Sequence, residues 1–583
     1  MKQLINLCKS LLYSTKFTKP FIEQWPLMLA YILLIGWASL DQNPIPRWLL
    51  ILFHSYVFAA IVTISGNRII KGIAYLFIYT FFFIELVLEQ VFGMEISPGT
   101  LVLLFETNKR ESVEFLQVLV TKKEFTWTLL YFAGFIILNI LTETYRQKVC
   151  NLLTANRKVA KIGKILFLIL LTGGFFFNYQ YISLFDSKEV NDVDEWRSHS
   201  RNPDDTITKL LMSIVDIRMS EKEMNTLLKQ IEHLESKNLE DETDSINVIF
   251  VIGESYIKYH SALYGYPLQT TPFLSQEQKA GRLFVFTDVV SPYNQTTKVI
   301  RNVLSCNSIA EGESWSSTPP LTAIYKSRGY HVTFYDNQRD YETEQLFSFS
   351  LNTYLYHPEI IKACYSETNA ETFDYDGQLI DYYKNNRHNS KKHKCEFIVF
   401  HLLGQHASFG NRYPKDFYYY TPDSTYFRKE QWLTPQMREE IAHYDNATLY
   451  NDDVMRKIAH LYDNENTIVI YFSDHGEEVY DYRPNIGRDD FGFGEYPEKG
   501  LHWQYDIPFM VWCSDSYIKS HPEEIDALRS CVKRPFMLDN VCQIVFNLSG
   551  LKTHYYKPER DVLSPNYKCN KRVINDKFNY DEF

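Results

Sequence analysis

Asp474 and His475 stand side by side at the end of an apolar run, Ile468 to Phe472, in the stretch "NTIVIYFSDHGEE". A carboxylate beside an imidazole offers one oxygen and one nitrogen donor, the pair that a catalytic metal or a proton transfer uses. Alone, the pair reads equally well as a turn or a helix cap. It gains meaning from others of its kind. Val248 to Ile252 runs into Gly253-Glu254-Ser255, Phe397 to Phe400 runs into His401 and then Gly404-Gln405-His406, and Leu501-His502 stands shortly before Phe509 to Trp512. Glutamate, aspartate and histidines at the ends of strand-like runs are ligands that Zn2+ accepts, and a catalytic zinc keeps a position open for substrate or nucleophile. A nucleophile is offered by "SPYNQTTKVIRNVLS", where Thr296 and Thr297 precede an apolar face of Val299, Ile300, Val303 and Leu304 and so begin a helix. A threonine there serves as an ordinary N-cap. The same helix end also stabilises an alkoxide or a phosphate ester.

These groups need elements to hold them. Continuous β-rich runs at 248–252, 283–286, 332–335, 397–400, 468–472 and 509–512 alternate with helix-length segments. That alternation predicts an α/β domain over 246–583, a mainly parallel sheet sandwiched by helices, with ligands collecting beyond the carboxyl ends of the strands. Upstream, five apolar blocks at 21–40, 48–66, 69–91, 126–143 and 162–183 each approach the ~20 residues of a membrane-spanning helix. They predict a five-helix transmembrane bundle over 1–185. The basic residues Lys2, Lys9, Lys16 and Lys19, then Arg68 and Lys71, then Arg146, Lys148, Arg157, Lys158, Lys161 and Lys164 fall on one side of that bundle. Lys and Arg are retained on the cytoplasmic side, so everything after about residue 184 is expected outside, in a bacterium the periplasm, with the anchor in the inner membrane. Residues 186–245 read as a helical linker at the membrane surface. Its stripes Leu210, Leu211, Ile214, Ile217 and Met224, Leu227, Leu228, Ile231, Leu234 predict two amphipathic helices. The net charge of -11 argues against a nucleic-acid partner.

"NVIFVIGESYIKYHSALYGYPLQTTPFL", "SDHGEE" and "LLGQHASFGNRYP" together resemble the phosphoethanolamine transferases of the alkaline-phosphatase and sulfatase superfamily, as do the spans ahead of them. The resemblance implies a zinc site of Glu254, Thr296, Asp474 and His475, with Thr296 also the nucleophile and His406 and His502 at the substrate phosphate. Choosing Thr296 over Thr297 rests on counting back from Val303-Leu304. The segment "TLVLLFETNKRESVEFL" is similar to a membrane-domain loop of that family, which makes Thr107 and Glu111 head-group ligands; Leu103 stands where the family usually has Asn. The reaction this resemblance implies is transfer of phosphoethanolamine from phosphatidylethanolamine to lipid A, a core sugar or another envelope glycan, among membrane lipids.

Two departures point to a subgroup with a different acceptor. Cys306 lies downstream of the nucleophile without the bracketing partner of many lipid A-directed members, and Leu268 replaces the Arg of the G-Y-P-R form. Seven cysteines, Cys306, Cys364, Cys395, Cys513, Cys531, Cys542 and Cys569, fall outside the membrane in this topology, where disulfides are permitted. A phosphoglycerol transferase shares the layout and the Thr nucleophile. A sulfatase would need a C/S-x-P-x-R motif, which is absent. An inactive sensor or scaffold would have lost a metal ligand, and all four are present.

Overall fold

The computed structural model describes residues 19–37, 44–92, 96, 123–155, 172–175, 206–234, 246–339, 354–389, 393–488, 500–576 and 578–583. The chain forms two compact units, Met1–Met219 and Ser220–Phe583.

In the first unit, helices Pro44–Ser65, Arg68–Phe92 and Lys123–Ala155 are long and apolar enough to cross a membrane. Gly66, with φ +60°, and Asn67, whose side chain accepts the Ile69 N–H at 2.8 Å, make the tight turn between the first two. Leu27, Tyr31, Leu34, Ile51, Ile78 and Phe82 pack as an internal core, while residues such as Ile64, 85% exposed, face outward as lipid-contacting side chains do. Among the described residues this makes three spans where five were expected. The block at 21–40 forms the helices Lys19–Glu23 and Trp25–Trp37, interrupted at Gln24. Pro26 supplies the reason, because its nitrogen cannot donate to a carbonyl of the preceding turn. The block at 162–183 lies outside the described residues apart from a helical piece at 172–175, and Leu103, Thr107 and Glu111 lie outside them too.

Among the described residues of the linker there is one helix, Thr206–Glu232, which carries both stripes where two helices were expected. No Gly or Pro interrupts the stretch between the two stripes, and its Ser-Glu-Lys-Glu sequence is compatible with continued helix. Leu210, Ile214 and Ile217 pack within the first unit; Met224 and Leu227 join the core of the second.

The second unit is built on a seven-stranded sheet. Its strands are β1 (Asn247–Gly253), β2 (Leu283–Phe286), β3 (His331–Asp336), β4 (Glu367–Thr368), β5 (Glu396–His401), β6 (Thr467–Ser473) and β7 (Phe509–Cys513), in the spatial order β2-β7-β6-β1-β5-β3-β4. Residues of β1 alternate between two cores, Val248, Phe250 and Ile252 on one face and Ile249 and Val251 on the other. Both faces of the sheet are therefore covered, which explains the unbroken apolar runs. All pairings are parallel except those of β7, which runs against both β6 and β2. The sheet is thus mixed. The reversal matters for the site, because Phe509 opens β7 opposite Phe472 near the end of β6. A residue preceding β7 and a residue following β6 consequently meet at one edge. Of the seven cysteines of this unit, six are buried and Cys569 is exposed.

Candidate active site

The register of the three central strands sets the site. Gly253 pairs with Ser473, and Ile252 with His401, so Glu254 and Asp474 leave the carboxyl edge side by side. Gly404, whose φ is +49°, lets the chain after β5 fold back there: a Cβ at this position would sit 2.7 Å from the Glu254 backbone nitrogen. Ser255 also has positive φ, 55°, a costly conformation for a side chain other than glycine. That turn aims its N–H at Asp474 Oδ1 (3.1 Å) and its hydroxyl at Glu254 Oε1 (2.8 Å).

Donor atoms of Glu254, Asp474 and His475 converge within 4.8 Å of one another, and all three residues are fully buried. His475 Nδ1 faces the Gly476 carbonyl at 2.9 Å, which turns Nε2 toward Glu254 Oε1 (3.2 Å) and Asp474 Oδ2 (3.0 Å). Fixing the far nitrogen of an imidazole in this way is how ligating histidines are oriented. Burial works against the charge of Glu254, yet His475, Arg488 and His406 hold its carboxyl well below the usual range. Burial likewise works against an imidazolium, but Asp474 and Glu254 push His475 up to about 9.

The helix Thr296–Val303 delivers the hydroxyl. Its N-cap is Gln295, so Thr296 is the first helical residue and its side chain is not spent on capping. Thr296 Oγ1 donates to Glu254 Oε2 at 3.1 Å and lies 3.3 Å from His475 Nε2. Thr297, the next residue round the turn, makes no contact with this cluster among the described residues. His406 sits exposed at the rim and acts on Glu254 through its charge. His502 lies on the short helix Leu501–Tyr505, whose Gln504 carbonyl accepts the Gly476 N–H at 2.9 Å, and its ring is held 2.5 Å from the Tyr580 hydroxyl and 3.7 Å from Asp506 Oδ2.

Three neighbours were not legible beforehand. Gln338 donates to Glu254 Oε2 (3.1 Å) and to the Leu402 carbonyl (2.6 Å). Arg488 reaches His475 Nε2 (2.5 Å), the Asn294 carbonyl (2.8 Å) and Glu477 Oε2 (3.1 Å). Glu477 is buried beside them and is pushed up to about 7 by that burial. Gln338 follows β3 and Arg488 follows a two-residue ladder, so neither stands in a pattern that sequence periodicity can flag.

The cluster fits a divalent cation. Asp474 Oδ2 is buried and accepts no hydrogen bond among the described residues, and two buried carboxylates with one imidazole are a donor set that Zn2+ takes. A buried oxygen and nitrogen cluster at the carboxyl edge of a covered α/β sheet, with a hydroxyl inside it, is an arrangement that metal-assisted group transfer can use. Comparison with known proteins narrows the class. Residues 246–533 match the Sulfatase family model. Phosphoethanolamine transferase EptC of Escherichia coli K12 is 26% identical over 497 residues, covering 83% of this chain and 80% of the relative. The Kdo(2)-lipid A phosphoethanolamine 7''-transferase of Escherichia coli K12 is 25% identical over 286 residues, 48% of this chain and 46% of the relative. The crystal structure of the C-terminal periplasmic domain of Escherichia coli EptC aligns with a TM-score of 0.50 at 26% identity, covering 59% of this chain and 94% of that structure. Residues 246–533 thus resemble sulfatase-family domains, and most of the chain is similar to phosphoethanolamine transferases.

Proposed function

We propose that this protein takes phosphoethanolamine from phosphatidylethanolamine onto Thr296 and passes it to lipid A, a core sugar or another envelope glycan at the periplasmic face of a bacterial inner membrane. The observation that carries the reading is the Thr296 hydroxyl, hydrogen-bonded to Glu254 within the three-donor cluster. The names of the relatives, one of which specifies lipid A, support the transferred group and the acceptor class.

In this reading Glu254, Asp474 and His475, with the Thr296 oxygen, hold a Zn2+ ion. When bound, the ion supplies a Lewis acid that lowers the pKa of the hydroxyl. Glu254 Oε2 holds the proton of Thr296 Oγ1 in the resting site. The threonine oxygen attacks phosphorus, the bond from phosphorus to the diacylglycerol oxygen breaks, and diacylglycerol leaves with a proton. The N–H groups of the first turn of Thr296–Val303 face the charge that accumulates on the phosphoryl oxygens. An acceptor hydroxyl then attacks the phosphothreonine ester, gives up its proton and restores Thr296. Two displacements leave the configuration at phosphorus unchanged. His406 and His502 neutralise phosphoryl oxygens or carry the proton to the leaving oxygen. The family resemblance further assigns Thr107 and Glu111, which lie outside the described residues, to the ethanolamine head group.

Intact mass of the purified full-length protein after incubation with phosphatidylethanolamine tests this, with Thr296→Ala and Thr297→Ala alongside. The expected result is a phosphoethanolamine adduct on wild type and Thr297→Ala and none on Thr296→Ala. An adduct lost only in Thr297→Ala would move the nucleophile by one residue. Neither adduct nor diacylglycerol on any form would sink this donor, and phosphatidylglycerol would replace it.

A further inference from the structure

Residues 573–580 pack against the segment that leads into Thr296 and against His502. Val573–Ile574 and Phe578–Asn579 pair antiparallel, and Asn575 and Asp576 after the first of them have φ of 47° and 59°. Asn and Asp tolerate this left-handed conformation better than most residues, which suits a tight reversal. Two contacts then tie the hairpin to the segment that leads into Thr296. The Asn575 N–H donates to the Pro292 carbonyl at 2.9 Å, and the Tyr293 hydroxyl donates to Asp576.

Tyr580, just beyond the hairpin, is buried and reaches the other side of the site. Its hydroxyl donates to Asp506 Oδ1 and lies 2.5 Å from His502 Nδ1. Asp506, also buried, is a hub: Lys258 Nζ stands 2.9 Å from Oδ2, and the Tyr259 hydroxyl donates to Oδ2 at 2.5 Å. Because Asp506 takes the Tyr580 proton, the phenol oxygen is left to accept from His502. The network therefore assigns the hydrogen to Nδ1 and leaves Nε2 for chemistry. Tyr580 is braced by Arg572, whose guanidinium lies 5.0 Å from the ring centroid and pairs with Asp288 and Asp581.

Resting on the proposed role of His502 at the phosphate, we infer that Tyr580 and Asp506 are positioning residues, which fix the ring and the Nδ1–H form of His502 so that Nε2 faces the reacting oxygens. In the first displacement His502 starts as the imidazolium, gives its Nε2 proton to the departing diacylglycerol oxygen and is left as the Nδ1–H form. In the second, the acceptor hydroxyl returns a proton to Nε2, so His502 ends as it began. The C-terminal hairpin, with contacts to both the nucleophile segment and His502, is the element that keeps the two in register. The charged groups acting on His502 are Asp506, which favours the imidazolium, and Lys258 and Arg572, which oppose it.

The test follows diacylglycerol release by full-length enzyme in phosphatidylethanolamine vesicles, comparing Tyr580→Phe, His502→Ala and the double variant. Tyr580→Phe is expected to lower kcat about tenfold with KM changed less than about twofold, since it removes one oriented bond and no substrate contact. The alkaline limb of its pH profile should move to lower pH, because the lost bond favours the imidazolium. The double variant should be no slower than His502→Ala, the signature of one residue acting through the other. A Tyr580→Phe enzyme with wild-type kcat and pH profile, beside a slow His502→Ala, would overturn the inference and leave the transfer reaction standing. A wild-type rate in His502→Ala would remove the role of His502 itself, and this inference with it. If Tyr580→Phe fails to fold, nitrogen-15 histidine spectra of the wild-type protein at a pH where His502 is neutral decide: the Nδ1–H form supports the inference, and the Nε2–H form overturns it.

Discussion

The buried carboxylates of Glu254 and Asp474 are balanced by His475, pushed up to about 9, and by Arg488, which touches His475 and Glu477, and a cation bound there would displace the His475 proton. A buried carboxylate without compensation is expensive, so with that proton gone each ligand depends on the ion the set would hold. Glu254→Gln, Asp474→Asn and His475→Ala are each expected to lower transfer by about a thousandfold and to leave the purified protein with substoichiometric zinc. Elemental analysis beside diacylglycerol release checks both; a variant that keeps metal and rate would remove that residue from the set. These three residues were legible because each follows an apolar run that had to be a strand. Gln338 and Arg488 were not, because they reach Glu254 and His475 only after the sheet fixes its register. Thr296 stood between the two cases. Its place at a helix start was readable, and its preference over Thr297 came from resemblance until the helix phase pointed its oxygen at Glu254.

At the scale of elements, the turn after β5 is the sharpest constraint. Gly404 combines positive φ with a Cβ position 2.7 Å from Glu254 N and 2.8 Å from Glu254 O, both backbone atoms that cannot swing away. Gly404→Ala is expected to destabilise the protein by about 2–4 kcal/mol in urea unfolding and to weaken metal retention by shifting Glu254. A substitution that leaves the unfolding midpoint unchanged would show that the loop has another conformation to use. Six of the seven strands were visible as β-rich runs, yet the direction of β7 was not. A run of buried residues looks the same in either direction, and the reversal follows from its pairing with β6 and β2. The linker shows the opposite failure. Two apolar stripes suggested two helices, but a phase shift in the stripe need not break the backbone, and Thr206–Glu232 continues through it.

For the molecule as a whole, the division into an apolar first unit and a sheet-based second one was plain from composition, because lipid and water select different side chains. The number of spans was less plain: Trp25–Trp37 is shorter than its apolar block, since Pro26 restricts where the helix can begin. Charge also acts across the second unit. Burial disfavours ionised Asp506, but the His502 bond, the Lys258 charge and the Tyr259 and Tyr580 hydroxyls bring it from 3.8 down to about 2. A carboxylate with a depressed folded-state pKa adds stability that is complete above about pH 5 and is lost as pH falls through 2. Here that is about 2 kcal/mol. Asp506→Asn should therefore flatten the dependence of unfolding free energy on pH between 5 and 2, measured by urea titration at each pH. An unchanged slope would place the Asp506 interactions in the unfolded state as well.

The return of Tyr580 to His502 has a consequence for how the enzyme is made. Glu254, Asp474 and His475 are all present in a growing chain by the time His475 has emerged, whereas Tyr580, which braces His502, emerges later. Chains are made and exported from the amino end, so the donor set can assemble before the histidine has its support. A nascent chain that has not yet reached Tyr580 would then carry the Glu254, Asp474 and His475 cluster with His502 still unsupported.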